Sequence, residues 1–71
     1  THIGMIGKYV IGYDKENAQE IKGIVTGVVF ENKEPRLLIE TKSGQIVTEK
    51  VLKIEDVEEI WNSAPTEQTN D

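Results

Sequence analysis

The sequence predicts a mostly-β domain, a small barrel of five short strands. Three observations carry this. Runs rich in β-branched and aromatic residues recur along the chain and are separated by short polar clusters. The longest run, residues 20–31 (EIKGIVTGVVFE), is apolar on both faces and interrupted by Gly23 and Gly27. A strand of that kind suits a barrel in which one bent ribbon passes between two sheets. Finally, 71 residues allow one domain, and a chain of that length buries only about 60% of its unfolded surface.

The elements follow in order. Residues 8–13 (KYVIGY) form the first strand, ended by the polar turn cluster 14–17 (DKEN). Residues 20–31 form the second. Strict alternation places Ile24, Val28 and Phe30 on one of its faces and Ile21, Val25 and Val29 on the other. Residues 32–35 (NKEP) read as a loop, and 36–41 (RLLIET) as the third strand. Lys42-Ser43-Gly44 has the composition of a hairpin turn, with glycine placed for positive φ, and 45–49 (QIVTE) returns as the fourth strand. Val51, Leu52 and Ile54 carry the apolar content into the next bend.

Residues 53–61 (KIEDVEEIW) allow two readings. Ile54, Val57, Ile60 and Trp61 fit the face of a short helix. The alternative is a 3₁₀ turn over 54–57 followed by a fifth strand, 58–61, that closes the barrel. The second reading is preferred, because nine residues make a marginal helix and an open four-stranded sheet leaves its edges unprotected. Five strands in about 55 ordered residues, with short loops and a 3₁₀ turn before the last strand, resemble an SH3-like barrel of the Tudor or KOW type. The expected organisation is a tail or non-native remnant over residues 1–4, the barrel over 5–62, and a disordered acidic and polar tail over 63–71. That last stretch has no large apolar residue to offset the entropy of ordering.

Charge narrows the function classes. The net charge is −5, but residues 1–53 hold eight bases against seven acids, while 54–71 hold six acids and no base. Nucleic-acid binders draw most of their affinity from a basic excess, so nucleic acid is a disfavoured partner. No apolar run approaches the ~18 residues of a membrane span, which argues against membrane insertion, and no signal peptide is evident. The expected place of synthesis is the cytoplasm. With no cysteine there is neither a disulfide framework nor a thiolate metal site.

No catalytic constellation emerges, and the expectation is a protein that is not an enzyme and carries no cofactor. The one histidine, His2, lies in the N-terminal tail, without the partners nucleophilic catalysis needs. Glu55, Asp56, Glu58 and Glu59 read as a solvated acidic face, not as a metal site, since no calcium-type loop surrounds them. Gly4, Gly7 and Gly12 do not make a phosphate loop, because no strand precedes them and no Lys-Ser/Thr follows. Binding residues are sought among the aromatics. Tyr9 and Tyr13 share a strand face with Ile11, and Trp61, at the end of the last strand, is the aromatic expected to be exposed. Tyr9, Tyr13 and Trp61 are thus the candidate site, in a barrel type that can cage a methylated cation.

A family resemblance adds to this. Ile6-Gly7-Lys8 with Val10, Gly23-x-Val25-x-x-Val28-x-Phe30, Pro35, the run Leu37-Leu38-Ile39, and Val51-x-x-Ile54-x-x-Val57 together resemble the small β-domain in the middle of bacterial flagellar hook-capping (basal-body rod modification) proteins. The resemblance implies a scaffold role, protein–protein contact during assembly, without catalysis; a phage tail or head component fits the same reading. It transfers no binding residue. The expected partner is another protein or a second copy of the chain, and the alternative is a Tudor- or KOW-like reader of nucleic acid or modified peptide.

Overall fold

The computed structural model describes residues 2–66. A short 3₁₀ helix, His2–Met5, leads into β1 (Tyr9–Asp14), β2 (Gln19–Glu31), β3 (Glu34–Ser43) and β4 (Ile46–Lys53). A 3₁₀ turn, Ile54–Asp56, precedes β5 (Val57–Trp61). The helical reading of residues 53–61 is therefore set aside: the chain leaves the 3₁₀ turn extended at Val57, φ −74° and ψ 129°. Residue 1 and residues 67–71 of the expected tails lie outside the described residues.

All five strands join one antiparallel sheet in the order β4-β3-β2-β1-β5. β2 is the shared strand. Its first half pairs with β1, from Asp14↔Gln19 to Tyr9↔Ile24, and its second half pairs with β3, from Ile24↔Glu40 to Glu31↔Glu34. The two ladders overlap only at Ile24. Next to that crossing, a Cβ on Gly23 would collide with the Glu40 carbonyl oxygen, so the chains meet there at backbone distance and only glycine fits.

The sheet curls. Across four flat strands β1 and β4 would stand about 14 Å apart. Yet a Cβ on Gly12 of β1 would lie 2.7 Å from Leu52 Cδ2 of β4 and 2.7 Å from the Asp56 carbonyl oxygen. The curl encloses one core, built from Val10, Ile21, Val25, Leu37, Ile39 and Leu52, with Met5, Val28, Ile54 and Val57 packed against it. The ladder itself is not closed. Among the described residues β5 pairs with β1 alone, so the closing strand expected from the sequence leaves β4 and β5 as the edges of the sheet.

Two irregularities redirect side chains. In β2 the register shifts between Val25 and Gly27, leaving Thr26 as an extra residue. Such a bulge reverses the facing of everything beyond it. Val28 therefore joins Val25 on the core side, opposite Leu37, instead of sharing a face with Ile24 as strict alternation expects. In β5, Glu58 is the extra residue between Gly12↔Val57 and Ile11↔Glu59.

The segment expected as a loop at 32–35 is a tight hairpin. Glu31 faces Glu34 across Asn32 and Lys33, both at positive φ, 51° and 67°, the signature of a type I′ turn. Asn32 suits its position; Lys33 pays steric strain where glycine is usual. The β3–β4 hairpin turns through Gly44 (φ 64°) and Gln45.

Candidate functional site

β1 alternates cleanly. Val10, Gly12 and Asp14 are buried, while Tyr9, Ile11 and Tyr13 turn outward. Register then builds a row across three strands of the outer face: Trp61 of β5, Tyr9 of β1 and Ile24 of β2 stand side by side. The Tyr9 and Trp61 rings meet edge to face, with centroids 5.8 Å apart and planes at 61°, a geometry that adds about 0.5–1.5 kcal/mol beyond area burial. The Trp61 indole Nε1 donates to Glu59 Oε1 at 3.1 Å, and Glu59 lies opposite Ile11 in the next row. Beside this row, Tyr9, Lys22, Ile24, Glu40, Lys42 and Pro65 line an open hollow of about 600 Å³.

The three candidate residues do not converge. Tyr9 and Trp61 form one unit. Tyr13 stands four residues further along β1, about 13 Å away, opposite Glu20 and exposed to 42%. Trp61 is exposed, as expected, to 41%, but Phe30 is exposed further, to 72%. Phe30 lies beside Pro35, next to the tight Asn32-Lys33 turn and beyond the end of the core. The sequence pattern, apolar through Val28, Val29 and Phe30, gave no sign of where the core stops.

The larger hollow, about 680 Å³, lies between β4 and the β1–β2 turn and is polar. Most of its charges pair with one another. Glu16 Oε1 reaches Arg36 Nη1 at 3.3 Å and Lys53 Nζ at 3.1 Å. Arg36 Nε lies 3.2 Å from Glu31 Oε1 as an ionic contact without hydrogen-bond alignment. Lys50 Nζ donates to Gln19 Oε1 at 3.1 Å. Buried Asp14 accepts from the backbone N–H of Glu16 and Asn17 and from Asn17 Nδ2, the last at 2.7 Å. These bonds favour its ionised form, so its carboxyl sits below the ordinary value, chiefly through the Asn17 side chain. Lys53 and Arg36 likewise lower Glu16, and Glu16 raises Lys53. The region is a charged seam that ties β4 to the β1–β2 turn where no ladder does.

The acidic run departs in part from the solvated face expected of it. Asp56 is buried at the 3₁₀ turn, its Oδ1 3.7 Å from Lys15 Nζ, while Glu55, Glu58 and Glu59 are exposed. Among the described residues no group of three or more His, Cys, Asp or Glu side chains converges as a metal site. Among them, too, no helix is long and apolar enough to cross a membrane.

Comparison with known proteins gives no matching family model, no matching curated protein and no matching solved structure.

Proposed function

We propose that this domain is a non-catalytic assembly module that binds another protein through the outer face of β5, β1 and β2. The observation that carries this is the row Trp61–Tyr9–Ile24: two aromatics and an isoleucine aligned on an outward sheet face, beside a free edge. Aromatic side chains are enriched at the buried centres of protein interfaces. The curled sheet supports reading the fold as an SH3-like barrel of the Tudor or KOW type, since β2 is shared between two ladders and a 3₁₀ turn precedes the last strand. The hook-capping resemblance of residues 6–60 and a place in a flagellar or phage structure belong to the same proposal.

The test is site-specific crosslinking in the source cell. A photoreactive residue at Lys22, beside the row, should trap a defined protein. Tyr9→Ala and Trp61→Ala, each with an unchanged circular dichroism spectrum, should abolish that adduct. An adduct that persists in both variants removes the proposal.

A second reading has one specific observation in its favour: the Glu59 carboxylate beside the Tyr9–Trp61 pair, an arrangement that suits a methylated ammonium. Trp61 is the one tryptophan, so its fluorescence reports directly. A trimethyllysine peptide that leaves the emission unchanged at millimolar concentration eliminates this reading. Nucleic acid is opposed by the acidic balance, and a titration with RNA and DNA at ~50 mM salt, where electrostatic binding is strongest, checks that.

A further inference from the structure

We propose that β4 is a homotypic docking edge, on which a second copy of the chain adds its own β4 in antiparallel pairing centred on Thr48. This surface is separate from the aromatic row.

Among the described residues β4 and β5 are the two edges of the sheet. Natural edges are blunted by shortness, charge or bulges. β5 has all three: five residues, Glu58 and Glu59, and a bulge at Glu58. β4 runs eight residues in unbroken register, from Arg36↔Lys53 to Ser43↔Ile46. Its first four residues, Ile46 to Glu49, are all exposed, Ile46 to 69% and Val47 to 50%. The charged seam covers the other half through Lys50 and Lys53, so the available edge is short and lies at the turn end of the hairpin.

Backbone orientation and charge narrow the register, and the pairing of Glu49 with a cation decides it. The Thr41 hydroxyl donates to the Thr48 carbonyl oxygen at 3.2 Å, so that carbonyl faces β3. By the alternation of an antiparallel ladder, Val47 and Glu49 then direct their N–H and C=O groups away from β3. A two-fold axis normal to the sheet must pass beside one residue and its own copy, because facing residues share a sheet face. Centring on Glu49 or Lys50 sets like charges directly opposite, which is destabilising. Centring on Thr48 sets Thr48 against Thr48, Val47 against Glu49 and Ile46 against Lys50 of the second copy. Val47 and Glu49 then form roughly four backbone hydrogen bonds across the axis, and the Lys50 stem covers Ile46.

Charge favours the same arrangement. Within one chain Glu40 lies directly opposite Glu49, and Lys42 opposite Val47. In the Thr48-centred pair each Glu49 stands two strands, about 10 Å, from Lys42 of the second copy, within the combined span of the two side chains. The carboxylate pair that is unfavourable in the monomer gains a cation on dimerisation.

The chain has no cysteine, so Thr48→Cys supplies a single thiol. Facing residues of a non-hydrogen-bonded pair have Cα atoms about 4.5 Å apart, inside the range a disulfide spans. Under mild oxidation at about 100 μM, T48C should form a covalent dimer at least tenfold faster than Glu58→Cys on the other edge. Sedimentation equilibrium of the unmodified chain to about 1 mM should show reversible dimerisation, and Val47→Glu, which sets a carboxylate against Glu49 of the second copy, should weaken it at least tenfold. Residues 47 and 48 are exposed, so neither change threatens the fold. A monomer throughout that range overturns the proposal. So does a dimer that Val47→Glu leaves intact, or one in which T48C crosslinks no faster than E58C.

Discussion

β4 and β5 are the two strands with a free edge, and they handle it in opposite ways. β5 is short, acidic and bulged, and it presents a side-chain surface, the Trp61–Tyr9 pair. β4 is longer and regular. Half of it is held by the charged seam, and the other half extends past the core with three β-branched residues, Ile46, Val47 and Thr48, then Glu49, and with open backbone groups. The difference teaches that an edge is described by two properties, how well its backbone is guarded and what its side chains present. One edge of this molecule suits recognition by side chains, the other recognition by strand addition.

The largest way to break the comparison is through the core that anchors β4. Leu52 is buried on β4 against Gly12 of β1. Leu52→Ala should cost about 2–5 kcal/mol and unfold much of the population at 37 °C. Val57→Ala on β5, at a half-buried position, should cost less. Urea denaturation of the two variants checks the order; equal losses would mean that β5 anchors the sheet as firmly as β4.

Next in size is the close crossing at Gly23, which lets β2 serve both ladders. Gly23→Ala must displace the Glu40 backbone, and overpacking of this kind costs about 1–3 kcal/mol. The same denaturation measurement reads it.

The seam can be sharpened by pH. Asp14 and Glu16 titrate below their ordinary values of 3.8 and 4.5 in the folded chain. Each therefore contributes stability that is complete above those values and is lost as pH falls through the lower, folded ones. Lys53 is raised above its ordinary 10.5, so its contribution is present below 10.5 and fades above it. Thermal melts should show a fall in Tm on acidification below about pH 4.5, shallower in Glu16→Gln. If the Glu16→Gln profile overlies that of the parent, the seam is not what ties β4 to the β1–β2 turn.

The smallest expected effect is a gain. Lys33 sits at φ 67° in the tight β2–β3 turn, a conformation that costs a non-glycine residue roughly 1 kcal/mol. Lys33→Gly should recover about that much and raise Tm by about 4–8 °C, leaving both edges unchanged.

The strand content was legible because it rests on local pattern. Alternation in residues 8–13 put Tyr9, Ile11 and Tyr13 together on one face, where the structure has them, and the structure turns that face outward with Val10 buried on the other. Gly23 and Gly27 announced irregularity in β2, and both mark it, one at a backbone crossing and one at a bulge. The fifth strand after a 3₁₀ turn followed from the weakness of a nine-residue helix. The turn at Asn32-Lys33 escaped because Lys33 lacks the glycine that normally flags positive φ.

By itself, then, the sequence determined an all-β chain, its approximate strand boundaries, and which residues of β1 share a face, since period-two patterning acts over neighbours. Tertiary structure decided the rest. The Thr26 bulge sent Val28 to the core, and the register of β1 with β5 brought Trp61 to Tyr9 while leaving Tyr13 apart. Where the curled sheet ran out of partners left Phe30, Ile46 and Val47 in solvent. These outcomes depend on how distant strands align, and a one-residue shift in alignment turns a core side chain into a surface one; no local pattern records that.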